Sequence, residues 1–218
     1  MRKKGFYEEF IKRPMDLILS LLSIIILSPL FLILAFFVRV LIGRPIIFKQ
    51  QRPGLNEKIF DLYKFRTMTN QRDSIGNLLP DEIRLTRFGK FLRSTSLDEL
   101  PSLLNIVKGD LSIVGPRPLL VEYLDFYNDD ERKRHDVRPG LTGLAQIRGR
   151  NYMTWETKFK IDLEYVSNLC FVLDAKIFLV TIIKVLTRNN IETASEIHHN
   201  GSTYRPLNVE RARRCNEK

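Results

Sequence analysis

The sequence predicts an α+β fold, mainly helical, tied to a membrane through its N-terminal part. Three features predict it. Leu17–Val38 is a run of 22 residues without a charge, long enough for a helix embedded in a bilayer. Pro45–Met68 reads as two extended runs around the turn dipeptide Pro53-Gly54. Apolar residues then recur at helical spacing within Arg87–Asp110 and Phe171–Arg188. The expected organisation is a membrane segment over residues 1–43, a compact catalytic or binding domain over 44–190, and a polar C-terminal tail over 191–218.

The membrane segment is too long for a secretory signal, and "FVRVLIGRP" has no small-residue cleavage site. Pro29 follows Ser28 near its middle. Proline removes one helical hydrogen bond and crowds the preceding turn, so the helix is expected to kink or break there. The Ser28 hydroxyl is suited to satisfy a carbonyl freed in that turn. Each half would be about 11 residues, roughly 16 Å of helix, or one leaflet. Basic residues flank both ends: Arg2, Lys3, Lys4, Lys12 and Arg13 before, Arg39, Arg44, Lys49 and Arg52 after. Basic flanks stay on the cytoplasmic side. Two topologies satisfy these residues, a re-entrant hairpin with both flanks inside and a kinked single-pass anchor.

The chain of 218 residues carries 35 basic and 25 acidic residues, a net charge of +10. Such an excess suits an anionic partner: nucleic acid, anionic lipid or a phosphorylated substrate. Cys170 and Cys215 have no CxxC neighbours, so neither a zinc site nor a disulfide framework is indicated, and a reducing compartment fits best. His198-His199 lies in the polar tail and reads as solvated rather than metal-bound. The Walker loop and the GxGxxG fingerprint are absent, which leaves an ordinary nucleotide-binding fold unsupported.

Within the domain, Lys64 and Arg66 are two residues apart and share a face if the segment is a strand, either as a grip on phosphate or as a solvated edge. Arg87–Asp110 reads as two helical pieces separated by Ser94-Thr95-Ser96. The second opens with "SLDE", where Ser96 and Glu99 match a capping box and Asp98 complements the helix dipole. In "GPRP", Arg117 is held between two prolines of fixed φ, which suits a guanidinium that must meet phosphate or carboxylate. "RPGLTGLAQIRGRN", Arg138–Asn151, mixes glycines that permit close backbone approach with Arg138, Arg148 and Arg150. In Phe171–Arg188, Asp174, Thr181, Lys184 and Arg188 share one side of a helical wheel. That pattern fits a helix lying in the membrane interface, and equally a core helix. Arginines gathered around one acidic helix start point to an anionic substrate. The cations would hold phosphate, and the carboxylates would hold a divalent metal or attack phosphorus.

The residues carry a resemblance. "KRPMDLILSLLSIIILSPL", "FKQQRPG", "KFRTM", "RSTSLDELPSLLNIVKGDLSIVGPRPLL", "RHDVRPGLTGLAQIRGRN" and "LDAKIF" occur in order from Lys12 to about Leu186. They resemble the bacterial sugar transferases, the monotopic phosphoglycosyl transferases, in their short form. The resemblance implies transfer of a sugar phosphate from a UDP-sugar to polyprenyl phosphate, usually undecaprenyl phosphate, with release of UMP. It implies Mg²⁺ and an Asp-Glu dyad at Asp98-Glu99, both also metal ligands, with Asp98 the nucleophile of a covalent phosphosugar intermediate. It implies a re-entrant helix broken at Ser28-Pro29, a catalytic domain on the cytoplasmic face of the inner membrane, and interfacial amphipathic helices. Lys64, Arg66, Arg93, Arg117, Arg150 and Asp162 are the expected substrate-contacting residues. Membrane lipid is an expected partner, and nucleic acid is not. The rival class is a membrane-tethered basic domain that binds nucleic acid or anionic lipid without chemistry.

Overall fold

The computed structural model describes residues 4–149, 153–187 and 207. A short π-helical turn, Tyr7–Ile11, leads into α1, Lys12–Leu41. The antiparallel hairpin β1 (Ile47–Pro53) and β2 (Ile59–Phe65) follows, in register from Ile47 opposite Phe65 to Pro53 opposite Ile59. The helices α2 (Asp81–Arg84), α3 (Arg87–Ser94) and α4 (Leu103–Lys108) come next, with a 3-10 segment, Leu97–Ser102, before α4. The strands β3 (Ser112–Val114) and β4 (Gly140–Thr142) pair in parallel, with α5 (Asp129–Arg132) between them in sequence. The chain continues through α6 (Leu144–Arg148), α7 (Trp155–Ser167) and α8 (Phe171–Thr187). Helix dominates and the sheets are two-stranded, as the α+β reading expects.

The helix α1 corrects one expectation and meets another. Ser28-Pro29 does not interrupt it: helical backbone runs unbroken from Lys12 to Leu41. The physical reason lies in the turn itself. Pro29 has no amide hydrogen for the carbonyl of Ile25, and Ser28 Oγ donates to that same carbonyl at 2.8 Å. The serine therefore replaces the bond that proline removes, and the ladder continues.

One stripe of α1 packs on the domain along its whole length. At the start, Lys12 Nζ donates to Asp174 Oδ2 at 2.5 Å and to the Val114 carbonyl at 3.0 Å. Asp16 accepts from Ser112 Oγ and the Ile113 amide. Arg13 donates to the Ile106 and Val107 carbonyls at the end of α4. In the second half, Leu34, Val38 and Ile42 are buried with Phe65 and Leu92. The opposite face, including Ile25, Ile26, Leu32, Ile33 and Phe36, is exposed. The turn Tyr7–Ile11 and α1 together are long and apolar enough to cross a membrane, by length and composition.

The helix α8 resolves the choice left by its sequence. Asp174 is buried, and Thr181 and Lys184 also face the protein, bonded to Thr142 Oγ1 and the Ile147 carbonyl. Phe171, Val172, Leu179, Ile182 and Ile183 are exposed instead. Among the described side chains of α8, Ile177 is the apolar one fully in the core with Val114, Tyr165 and Val166, and Leu173 packs on that cluster partly buried. A core helix would bury its apolar side, so the core reading is corrected. Its apolar side is turned away from the protein, an orientation compatible with an interfacial helix.

Close backbone approaches fix the framework around the cavity. A Cβ on Gly140 would lie 2.1 Å from Gly115 N, and one on Gly89 would lie 1.9 Å from Thr67 O. Only glycine lets β4 meet the GPRP turn, or α3 cross the segment after β2, at these distances. Residue 207 is fully buried as leucine among Tyr123, Tyr127, Trp155 and Phe159. The rest of the 191–218 tail, with His198 and His199, lies outside the described residues.

Candidate active site

A cavity of about 650 Å³ opens between the β1–β2 hairpin, the segment from Arg66 to Arg84, α3, the GPRP turn, α6 and α7. Lys64, Arg66, Arg93, Asp98, Glu99, Arg117 and Asp162 all line it. Among the predicted residues, Arg150 alone lies outside the described residues. Elements distant in sequence therefore bring the expected cations to the expected carboxylates.

The dyad is presented by an unusual turn. Ser96 has φ 57° and ψ 14°, in the left-handed region, and its side chain makes no cap. The capping box is thus corrected: Glu99 does not reach back, and only its amide bonds the Ser96 carbonyl, at 3.2 Å. Asp98 and Glu99 sit in the first turn of the 3-10 segment, which continues directly into α4. A left-handed serine is uncommon and costs backbone energy, and such strain clusters where a fixed side-chain direction matters.

The two carboxylates differ sharply. Glu99 Oε1 accepts from Lys64 Nζ and from an Arg117 guanidinium nitrogen, each at 2.8 Å. Burial would raise its pKa, but Arg117 and Lys64 outweigh burial and hold it well below the usual carboxylate range. Asp98 is 8% exposed and takes no hydrogen bond from a described residue. Burial first, and then the charge of Glu99, push it up to about 6, against the opposing pull of Lys64, Arg93 and Arg117. One carboxylate is clamped and the other faces the cavity with its oxygens bare.

Two of the surrounding cations, Arg66 and Arg93, are held by neutral oxygens. Arg66 bonds the Met68 and Arg44 carbonyls, and Arg93 bonds Thr67 Oγ1 at 3.0 Å. Burial lowers the pKa of both guanidiniums, and Asp98 pulls that of Arg93 back up. Arg66 is buried, so it is not the solvated strand edge that the sequence also allowed. Asp162 meets Arg134 at 2.7 Å, and Arg134 also donates to the Arg117 carbonyl. Asp162 therefore acts on the cavity through Arg134 and the backbone of Arg117. Sequence reasoning missed Arg134, Thr67, Arg84, Phe48, Trp155 and Lys158. The only signals are motif membership, Arg134 in "RHDVRPG", Thr67 in "KFRTM" and Phe48 in "FKQQRPG"; Arg84, Trp155 and Lys158 lie outside the quoted motifs.

The carboxylate pair also bears on Mg²⁺. Among the described residues no third Asp, Glu, His or Cys joins Asp98 and Glu99. That set is too small for an all-protein cage. It fits an ion bound through one or two carboxylates and completed by substrate phosphates, the usual mode for Mg²⁺. Glu99 Oε2 takes no donor from a described residue, which leaves one oxygen of the clamped carboxylate for an ion.

The family model for bacterial sugar transferase matches residues 7–188. The chain belongs to the bacterial sugar transferase family. It is 52% identical to the uncharacterized sugar transferase EpsL of Bacillus subtilis, over 86% of this chain and 93% of that protein. It is 35% identical to a UDP-glucose:undecaprenyl-phosphate glucose-1-phosphate transferase of Caulobacter vibrioides, over 82% of this chain and 71% of that protein. It is 38% identical to an undecaprenyl-phosphate galactose phosphotransferase of Salmonella typhimurium, over 83% of this chain but 41% of that protein. This bacterial sugar transferase thus spans nearly all of one relative and less than half of another.

Proposed function

We propose that the chain is a phosphoglycosyl transferase that moves a sugar 1-phosphate from a UDP-sugar to polyprenyl phosphate, undecaprenyl phosphate in the cell, and releases UMP. Such a transfer is a first membrane step of glycoconjugate assembly. The observation that carries the reading is the dyad: a bare, buried Asp98 beside a Glu99 clamped by Lys64 and Arg117, within a cavity lined by arginines. The names of the Caulobacter and Salmonella relatives support the reaction class, and they differ in the sugar.

In the first half-reaction an Asp98 oxygen attacks the phosphorus that bears the sugar. The P–O bond to UMP breaks and UMP leaves with the electron pair, giving a phosphosugar ester on Asp98. In the second, an oxygen of polyprenyl phosphate attacks the same phosphorus, and the carboxylate leaves unchanged. Lys64 and Arg117 orient Glu99 and add positive charge near the diphosphate, while Arg93 lies beside Asp98 to steady the transferring phosphoryl oxygens. Asp98 and Glu99 would hold Mg²⁺, which when bound offsets the diphosphate charge and makes UMP a better leaving group.

The placement is the cytoplasmic face of the bacterial inner membrane. Both ends of α1 touch the same domain, at Lys12 and Asp16 and again at Leu34, Val38 and Ile42. A helix crossing the bilayer carries its far end about 30 Å from the near surface. Contact at both ends supports a helix that enters the membrane and does not carry the chain across. The exposed apolar side of α8 supports the same monotopic placement.

The test is UMP release from a panel of UDP-sugars with polyprenyl phosphate and Mg²⁺. Turnover with one or a few donors is expected. Salt-sensitive binding to DNA with no UMP release from any donor would contradict the reading and favour a basic binding domain.

A further inference from the structure

We infer that Phe48 seats the first isoprene units of the prenyl phosphate acceptor, next to its phosphate. The inference rests on the reading above that the acceptor is a lipid phosphate.

Phe48 lies directly opposite Lys64 in the β1–β2 register, so the two side chains share one face of the hairpin. Lys64 holds Glu99, and both Phe48 and Lys64 line the cavity. Phe48 is nevertheless 48% exposed and belongs to none of the four apolar clusters. Its neighbours Ile46 and Ile47 do pack, against the second half of α1. A lone exposed apolar residue needs no explanation on most surfaces. Here its position is informative. It stands at the point where the chain leaves the membrane helix, whose last turns expose Phe36, Phe37, Val40 and Leu41.

The chemistry of the acceptor matches this juxtaposition. A prenyl phosphate joins a charged phosphate to an apolar chain through one ester oxygen. Its site needs a cation and an apolar surface within a few ångströms. Directly opposed residues on one face of an antiparallel pair have Cβ atoms about 4.5–5.5 Å apart. Lys64 supplies the cation and Phe48 the surface, seven residues past the exposed apolar end of α1.

Two other occupants make different predictions: the sugar ring of the donor, stacked on Phe48, and the bilayer itself. The experiment uses the full chain in detergent and compares wild type with Phe48→Ala and Phe48→Leu. It reads KM for each substrate, the Kd for long-chain prenyl phosphate, UMP released in one turnover without acceptor, and binding to phosphatidylglycerol vesicles. Phe48→Ala is expected to raise KM and Kd for the long-chain acceptor about 5- to 10-fold, the size expected for losing a partly buried ring. Affinity for a two-isoprene phosphate should fall by a similar factor, since the ring meets the units nearest the phosphate. Phe48→Leu should restore most of both. Donor KM, single-turnover UMP, vesicle binding and melting temperature should hold. A rise in donor KM with the acceptor unchanged would overturn the inference in favour of sugar stacking. Weaker vesicle binding with an unchanged Kd for the acceptor would overturn it in favour of a bilayer anchor. Unchanged values throughout would also overturn it. If wild type releases UMP but binds no prenyl phosphate, the acceptor reading fails and the inference falls with it. If it binds prenyl phosphate but releases no UMP, the donor reading alone fails.

Discussion

Two carboxylates joined by one peptide bond do not both ionise cheaply in a largely buried cavity, and here the cations go to one of them. Lys64 and Arg117 meet Glu99, while Asp98 keeps bare oxygens and a pKa raised to about 6. A stability prediction follows for the metal-free protein. The folded-state pKa of Asp98 lies above its free value, so its favourable contribution is full below about pH 4 and is lost as pH rises through 6. Asp98→Asn should therefore melt higher than wild type at pH 8 in chelator, with the gap closing toward pH 4. An equal gap at both values would show that Asp98 is not raised. Ser96 gives a second test. Its φ of 57° disfavours any branched side chain, so Ser96→Val should lose about 1–2 kcal/mol of stability and much of the turnover, while Ser96→Gly keeps the turnover. Equal activity of the two variants would mean that the turn does not aim Asp98. The sequence made the dyad legible through its motif, and it misread the local frame. "SLDE" has the composition of a capping box, and only tertiary partners from β2 and the GPRP turn draw Glu99 away.

At the scale of elements, α1 shows what a periodicity argument can and cannot see. The uncharged run and the serine–proline pair were legible, including the hydroxyl that satisfies the freed carbonyl. The continuity of the helix was not, because proline's cost depends on whether the lost bond is replaced. The polar residues before the run anchor rather than merely flank: Lys12 meets Asp174 of α8, which also accepts from Tyr7 and Tyr165. Breaking a buried pair from one side costs about 3–5 kcal/mol. Lys12→Met should lose stability of that order in denaturant titration. Adding Asp174→Asn should recover most of the loss, since the asparagine oxygen still accepts from one tyrosine and its amide nitrogen donates to the other, without a charge. If the double variant is as weak as the single, the charge pairing is not what holds α1 to α8. The inverted face of α8 was open in sequence because a wheel shows segregation, and only packing shows which side faces the protein.

For the whole molecule, the proposed function puts one active site at the membrane plane, reached by a soluble nucleotide sugar and a lipid phosphate in turn. With Cys170 and Cys215 replaced by serine, a membrane-impermeant thiol reagent added to intact cells should label neither Lys4→Cys nor Lys90→Cys. External labelling of the first would mean that α1 spans the bilayer. The gathering of Lys64, Arg66, Arg93 and Arg117 around the dyad was legible through motifs, whereas Arg84, Trp155 and Lys158 join the cavity only when the segment after β2 and α7 converge. The most direct test of the central claim separates the two half-reactions. The full-length protein is incubated with Mg²⁺ and a UDP-sugar labelled in the sugar, without lipid. The account predicts one equivalent of UMP, label on a peptide containing Asp98, discharge of that label by polyprenyl phosphate, and none of these with Asp98→Asn. UMP that appears only when polyprenyl phosphate is present, or an Asp98→Asn variant that still turns over, would contradict it.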